Sequence, residues 1–112
     1  MEAAKNTIFL CYRRDDSADV TGRIYDRLDV AFPGGQVFRD VDAIPLGVDF
    51  RDHVGTVLEK CKVVLVVLGP SWLIVRNPSG ERRIDDVRDH VRLEIEYALL
   101  RKDIRLIPLL VG

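Results

Sequence analysis

Short apolar runs alternate with amphipathic segments along this chain. The runs are apolar at nearly every position, which predicts strands covered on both faces rather than half-exposed ones. The segments between them carry apolar residues at the three-to-four-residue spacing of helices. The predicted strands are 8–12, 36–39, 63–68 and 104–111, and the predicted helices are 17–31, 50–61 and 87–101. Strands that alternate with helices in this way indicate a parallel α/β sheet.

The order of elements predicts a flavodoxin-like three-layer α/β sandwich with a central parallel sheet. With 112 residues, the chain is long enough for one domain, so residues 1–112 are predicted to form a single unit. The pattern ends on a strand, and we therefore expect the last strand and helix of such a fold to be missing and the chain to be a fragment of a longer multidomain protein. Residues 71–86 show no clear period, which predicts a functional loop or one that contains a short helix.

Composition narrows the function by exclusion. A net charge of −1, from 17 basic and 18 acidic residues that are well mixed, predicts neither a nucleic-acid binder nor a protein drawn to a membrane surface. No apolar run approaches the length of a membrane span or a signal peptide. Cys11 and Cys61 suit neither a disulfide framework nor a metal site, and we expect two reduced, buried thiols in a cytoplasmic protein.

The loops exclude several nucleotide-binding α/β families. The turn after the first strand reads Arg13-Arg14-Asp15-Asp16-Ser17, not the G-x-G-x-x-G of a dinucleotide-binding domain, and the P-loop motif is absent. A receiver domain would need an aspartate at the end of its third strand, where this chain has Leu68-Gly69-Pro70.

Three segments of the chain, taken in order, have the form of motifs known from one family. They are residues 8–14, IFLCYRR, residues 39–47, RDVDAIPLG, and residues 91–99, VRLEIEYAL. Together they resemble the Toll/interleukin receptor (TIR) domain, in particular its bacterial NAD-cleaving type. The first is similar to the family's opening strand of the form F-I-S-Y followed by R-R, with Cys11 where serine is common. The second resembles the loop between the second strand and second helix, known as the BB loop, and the third resembles the helix that carries the catalytic glutamate.

The resemblance implies an NAD+ glycohydrolase activated by self-association in bacterial defence signalling. NAD+ would be the substrate, with no further cofactor, and the products would be nicotinamide and ADP-ribose or a cyclic ADP-ribose. Glu94 would be the catalytic residue, and head-to-tail contacts with other TIR domains would complete the site. The expected substrate-binding residues are Tyr12, Arg13, Arg14, Asp42, Trp72 and His90, and the expected self-association loop contains Asp42, Ile44, Pro45, Leu46 and Gly47.

The helical pattern separates Glu94 from its neighbour Glu96. On a helical wheel Glu94 lies roughly 60° from the centre of the apolar stripe formed by Ile84, Val87, Val91, Ile95 and Ala98, whereas Glu96 lies roughly 140° away. A carboxylate at the edge of a buried stripe needs a partner, and such positions favour functional sites. Glu96 is predicted to be a solvated surface charge.

Each candidate also has a structural interpretation. Glu94 could pair with Arg101 or Arg14, and the arginines after the first strand could pair with Asp15 or Asp16. Trp72 could anchor the long loop, and the BB-loop residues could form an ordinary turn. The whole domain could be a catalytically silent adaptor that binds other TIR domains, or, as a weaker alternative, a relative of the deoxyribosyltransferases.

Overall fold

The computed structural model describes residues 7–39, 55–56, 58–59 and 61–112. Within these residues the strands are β1 (Ile8–Cys11), β2 (Val37–Phe38), β3 (Val63–Leu68) and β4 (Arg105–Leu110), and the helices are α1 (Arg14–Ala31) and α2 (His90–Leu100), with a 3-10 turn at Arg83–Asp85. The four strands form one parallel sheet in the order β2-β1-β3-β4. The predicted helix 50–61 lies mostly outside the described residues, although Gly55, Thr56 and Leu58 have helical backbone.

β1 divides the core because successive side chains of a strand point to opposite faces of the sheet. Ile8 and Leu10 join one buried cluster with Val37, and Ile24, Tyr25 and Leu28 of α1 pack against it. Phe9 and Cys11 join the second cluster on the other face, together with Leu58, Cys61, Val64, Val66, Ala98 and Ile104. Helices therefore cover both faces of the sheet, which confirms the predicted flavodoxin-like α/β fold.

The starts of both described helices differ from the predicted ones. α1 begins at Arg14, three residues before the predicted start at residue 17, and the chain breaks helical geometry at Ser17, where φ is −146° and ψ is 30°. α2 begins at His90 rather than Val87, because the Asp89 carboxylate accepts a hydrogen bond from the Arg92 N–H at 3.0 Å and so caps the helix there. Val87 is thus outside the helix and 58% exposed, so its predicted place in the apolar stripe is wrong.

Polar contacts stabilise the long segment between β3 and α2. The side chains that make them follow no periodic pattern in the sequence. The Asn77 side-chain oxygen accepts hydrogen bonds from the backbone N–H groups of Ser79 and Glu81, both at 3.0 Å. Arg76 and Arg82 form an antiparallel bridge across this turn, and the 3-10 turn follows. The expected alternative of a short helix within 71–86 is therefore correct.

Both cysteines are free and buried, as predicted. In the part of the chain that the structure describes, no helix is long and apolar enough to cross a membrane.

Candidate active site

A cavity of about 410 Å³ lies at the carboxyl end of β1. Because β2 and β3 flank β1 on opposite sides, this is the position where the connections diverge and where open α/β sheets bind ligands. Its volume is in the range of small-molecule sites. The described residues that line it are Tyr12, Arg13, Arg14, Asp15, Arg39, Asn77, Arg83, Asp86, Arg88, Asp89, His90, Val91 and Glu94.

Glu94 forms part of the cavity wall from the second turn of α2 and is only 4% exposed. The Cys11 thiol, at the end of β1, donates a hydrogen bond to the Glu94 Oε1 at 3.3 Å. Glu96, two residues on, binds Arg92 at 2.7 Å with 49% of its side chain exposed. The sequence prediction that separated a buried Glu94 from a surface Glu96 is confirmed in its geometry.

The thiol beside Glu94 remains protonated. Complete burial raises the pKa of Cys11 well above that of an ordinary thiol, and the negative charge and hydrogen bond of Glu94 raise it further. Cys11 is therefore a donor to the carboxylate throughout the neutral pH range. The pairing of Glu94 with Arg101 suggested by the sequence is not the contact that Arg101 makes: its guanidinium binds Asp103 at 2.7 Å and the Tyr97 hydroxyl at 2.7 Å.

Arg13 uses its guanidinium inside the protein. Nη1 and Nη2 donate to the two carboxylate oxygens of Asp89 at 2.9 and 2.8 Å, and the group lies 4.9 Å from the centroid of the Trp72 ring. The side chain is only 1% exposed. Arg13 lines the cavity as predicted, but both terminal nitrogens are already bound, which favours a structural role over phosphate binding.

For Arg13, the alternative of an ion pair with Asp15 or Asp16 is wrong, because its guanidinium binds Asp89. Asp16 accepts hydrogen bonds from the backbone N–H groups of Gly69 at 2.8 Å and Ser71 at 2.7 Å. Asp15 forms an ion pair with Arg83 at 3.0 Å.

Among the predicted substrate-binding residues that the structure describes, Trp72 does not line the cavity. Its ring packs against the core cluster on the α2 face and under the Arg13 guanidinium. These contacts favour the alternative interpretation from the sequence, in which Trp72 anchors the long loop.

The other predicted residues divide into two groups. Tyr12, Arg14 and His90 lie in the cavity wall with Glu94. The predicted self-association loop, Asp42, Ile44, Pro45, Leu46 and Gly47, lies outside the described residues.

Several lining residues were missed in the sequence. Arg39 follows β2, and Asn77, Arg83, Asp86, Arg88 and Asp89 come from the long loop. An Asn-Pro pair marks a turn and an aspartate before an apolar run marks a helix start, so Asn77 and Asp89 carried a readable signal. Arg39 opens the segment 39–47 that resembles the BB loop, whereas Arg83 and Arg88 carried no such signal.

The cavity is strongly charged yet balanced. Among the described lining residues are five arginines and four carboxylates. Three of those carboxylates are in ion pairs, Asp89 with Arg13, Asp15 with Arg83 at 3.0 Å and Asp86 with Arg88 at 3.6 Å. The fourth carboxylate, Glu94, accepts a hydrogen bond from the Cys11 thiol. Within the described ranges no cluster of three His, Cys, Asp or Glu residues could hold a metal ion.

The parallel strand order defines a flavodoxin-like α/β domain, and the charged cavity at the carboxyl end of β1 is its candidate site. A sequence model described as TIR domain matches residues 8–112, and the chain belongs to the TIR domain family. Its fold is similar to the crystal structure of the TIR domain of the Toll-related Receptor TRR-2 from Hydra magnipapillata, with a TM-score of 0.58 and 17% sequence identity. The similarity covers 90% of this chain and 66% of that one. Comparison with curated proteins found no match.

Proposed function

We propose that this TIR domain cleaves the bond between nicotinamide and ribose in NAD+, with Glu94 as the catalytic carboxylate. One observation carries the proposal: the Glu94 carboxylate, which is 4% exposed, lies in the wall of a cavity at the carboxyl end of β1. Burying a carboxylate costs free energy, so its presence in a cavity wall favours a functional role.

The chemistry needs little more than this group. Cleavage of an N-glycosidic bond develops positive charge on the ribose, as in other glycoside cleavages. Nicotinamide is cationic in NAD+ and leaves as a neutral molecule, so no general acid is required for its departure. A fixed carboxylate beside the ribose stabilises the developing charge because it is already oriented and little water surrounds it. Water, or a nucleophilic group of the substrate itself, then attacks the ribose carbon that nicotinamide has left. The product is ADP-ribose in the first case and a cyclic form in the second.

The cations of the cavity suit a dinucleotide. The Arg39 guanidinium stacks on the Tyr25 ring at 4.8 Å, an arrangement in which its in-plane N–H groups can still donate to phosphate. Arg14, in the first turn of α1, also lines the cavity. We assign the pyrophosphate to these two arginines because both line the cavity and carry a positive charge. The terminal nitrogens of Arg13 are bound to Asp89, and Arg13 is not part of this assignment.

The proposal includes activation by self-association. In the NAD-cleaving TIR domains that this sequence resembles, a neighbouring subunit closes the site with its BB loop in a head-to-tail contact. Such a contact is heterologous and can extend into filaments. Activity is then expected to rise steeply with protein concentration.

A cytoplasmic location and a role in bacterial defence signalling belong to the same proposal. Two free thiols are typical of a cytoplasmic protein.

The test measures nicotinamide release from NAD+ at high protein concentration, with and without a crowding agent. The parent chain is compared with Glu94→Ala and with Glu96→Ala, a matched control two residues away on the same helix. We expect the parent and Glu96→Ala to release nicotinamide and Glu94→Ala to lose at least about a hundredfold, the scale of removing one electrostatic contact to a transition state. Equal release by the parent and Glu94→Ala would contradict the assignment.

A second candidate function is that of an adaptor that binds other TIR domains without chemistry. Two observations favour it: Trp72 does not line the cavity, and Arg13 is bound in an ion pair. Both leave fewer groups in the cavity that could bind a nucleotide. Concentration-dependent association without nicotinamide release, unchanged in Glu94→Ala, is the result that this alternative predicts.

A further inference from the structure

β1 holds α2 at two points on one face of the sheet. Cys11 and Arg13 are two residues apart, so their side chains point to the same face. The Cys11 thiol binds Glu94 at 3.3 Å and the Arg13 guanidinium binds Asp89 at 2.9 and 2.8 Å. Each contact joins the end of the strand to a carboxylate of α2 or of its cap.

The spacing of the two contacts matches on both elements. Two residues of a strand advance by about 6.6 Å, and the five residues from Asp89 to Glu94 advance by about 7.5 Å along a helix. The earlier strand residue, Cys11, meets the later helix residue, Glu94, and Arg13 meets Asp89 at the helix start, which is the order expected of a helix antiparallel to the strand. Arg13 fixes the helix start, whereas Cys11 contacts the proposed catalytic carboxylate itself.

The Cys11 thiol is suited to hold Glu94 rather than to react. Its residue is fully buried at the end of β1, away from solvent and reagents, and it presents its proton to Oε1. Cys61 provides an internal comparison: it is also buried, but its thiol donates to the backbone carbonyls of Val63 at 3.0 Å and Thr7 at 3.4 Å. The chain thus has two buried thiols, and one of them is bound to the carboxylate.

We propose that Cys11 is a positioning residue for the reaction: its thiol orients the Glu94 carboxylate in the cavity wall by a hydrogen bond to Oε1. This inference rests on the function proposed above. The thiol is not a nucleophile in this assignment, and its role requires only a donor of similar size at the end of β1.

The kinetic test compares Cys11→Ala, Cys11→Ser and Cys61→Ala in NAD+ cleavage. Cys11→Ala removes the donor, and we expect kcat to fall about tenfold while KM changes by less than about twofold, because the loss is in orientation and not in substrate binding. Cys11→Ser keeps a donor and is expected to restore kcat to within about threefold of the parent. Cys61→Ala is expected to retain the parent kcat. Cys11→Ala with the parent kcat, or Cys11→Ser as impaired as Cys11→Ala, would overturn the proposal.

A second measurement reads the hydrogen bond without any activity. The S–H stretch of a thiol absorbs in an infrared window free of other protein bands, and a hydrogen bond to a carboxylate lowers its frequency. Cys61→Ala assigns the two bands of the parent chain. We expect Glu94→Ala to move the Cys11 band to higher frequency and to leave the Cys61 band unchanged, whereas an unmoved Cys11 band would overturn the proposal. If no variant releases nicotinamide, the proposed function fails, and the infrared result still decides whether the thiol holds the carboxylate.

Discussion

Gly69 follows the last residue of β3 and lies directly against the Asp16 carboxylate. A Cβ at this position would be 2.6 Å from both carboxylate oxygens, which are also the acceptors for the Gly69 and Ser71 N–H groups. The carboxylate cannot retreat without losing those hydrogen bonds. The close approach, and not an unusual backbone angle, therefore requires glycine here.

We expect Gly69→Ala to lower the free energy of unfolding by about 1–3 kcal/mol, the range for overpacking or for a broken buried hydrogen bond. The matched control is Gly22→Ala inside α1, where the nearest atom to an added Cβ is the flexible Arg39 Nη1 at 3.3 Å. Alanine gains up to about 1 kcal/mol of helix propensity at such a position, so this variant should be as stable as the parent or more so. Urea denaturation measures both, and a stable Gly69→Ala would contradict the steric argument.

The sequence predicts the burial of single residues better than it predicts their ion-pair partners. The burial of Glu94 could be predicted because helical spacing puts it beside Val91 and Ala98, three and four residues away on the same face. The partners of Arg13, Asp15 and Asp16 could not be predicted, because they depend on which loops meet at the carboxyl edge of the sheet. Asp89 is 76 positions from Arg13 in the chain, and no local pattern relates such positions.

At the level of elements, Asp89 connects α2 to the sheet in two ways. Its carboxylate caps the helix by accepting from the Arg92 N–H, and it forms the buried ion pair with Arg13 in which the side chains are 1% and 9% exposed. Removal of one member of a buried pair is costly because the other charge stays buried without its partner.

We expect Asp89→Ala to lower the free energy of unfolding by about 3–5 kcal/mol, and Asp89→Ser to recover about 1 kcal/mol because serine still caps the helix. The informative variant is the double substitution Arg13→Met with Asp89→Ser, which removes both charges. It should be more stable than Asp89→Ser alone in chemical denaturation. A double variant less stable than the single one would show that the cost does not arise from the unpaired guanidinium.

The strands were predicted better than the helix starts. β3 has the predicted bounds because an uninterrupted β-branched run is a strong signal, and β4 differs from its prediction by one residue at each end. The predicted start of α2 was wrong because Val87 continues the apolar spacing, although the chain reaches helical geometry only after Asp89. The loop before it could not be predicted, since Asn77 organises it through side-chain contacts rather than through periodicity.

At the scale of the whole molecule, we expect the two buried thiols to lower the stability of the fold as the pH becomes alkaline. Burial raises the pKa of Cys11 and of Cys61 above that of an exposed thiol, whereas both regain an ordinary pKa of about 8.5 in the unfolded chain. Below that pH both states hold the protons and the stabilisation is complete. As the pH rises above it, the unfolded chain releases them first and the folded state loses stability.

We therefore expect the free energy of unfolding to fall above about pH 8.5 by roughly 1 kcal/mol per pH unit for each thiol. Urea denaturation at several pH values measures the slope, and Cys11→Ser should reduce it because serine does not titrate in this range. Since other groups also titrate there, the difference between the parent and the variant is the relevant quantity. Identical slopes would mean that the Cys11 thiol has no raised pKa in the folded state.

The contact between the Arg13 guanidinium and the Trp72 ring has an optical consequence. Trp72 is the one tryptophan of the chain, so all indole fluorescence originates 4.9 Å from the group that anchors α2. Indole emission responds to neighbouring charge and to solvent, so separation of α2 from β1 will change its intensity and wavelength. The domain therefore contains an intrinsic, label-free reporter of whether the cavity wall that carries Glu94 is in place.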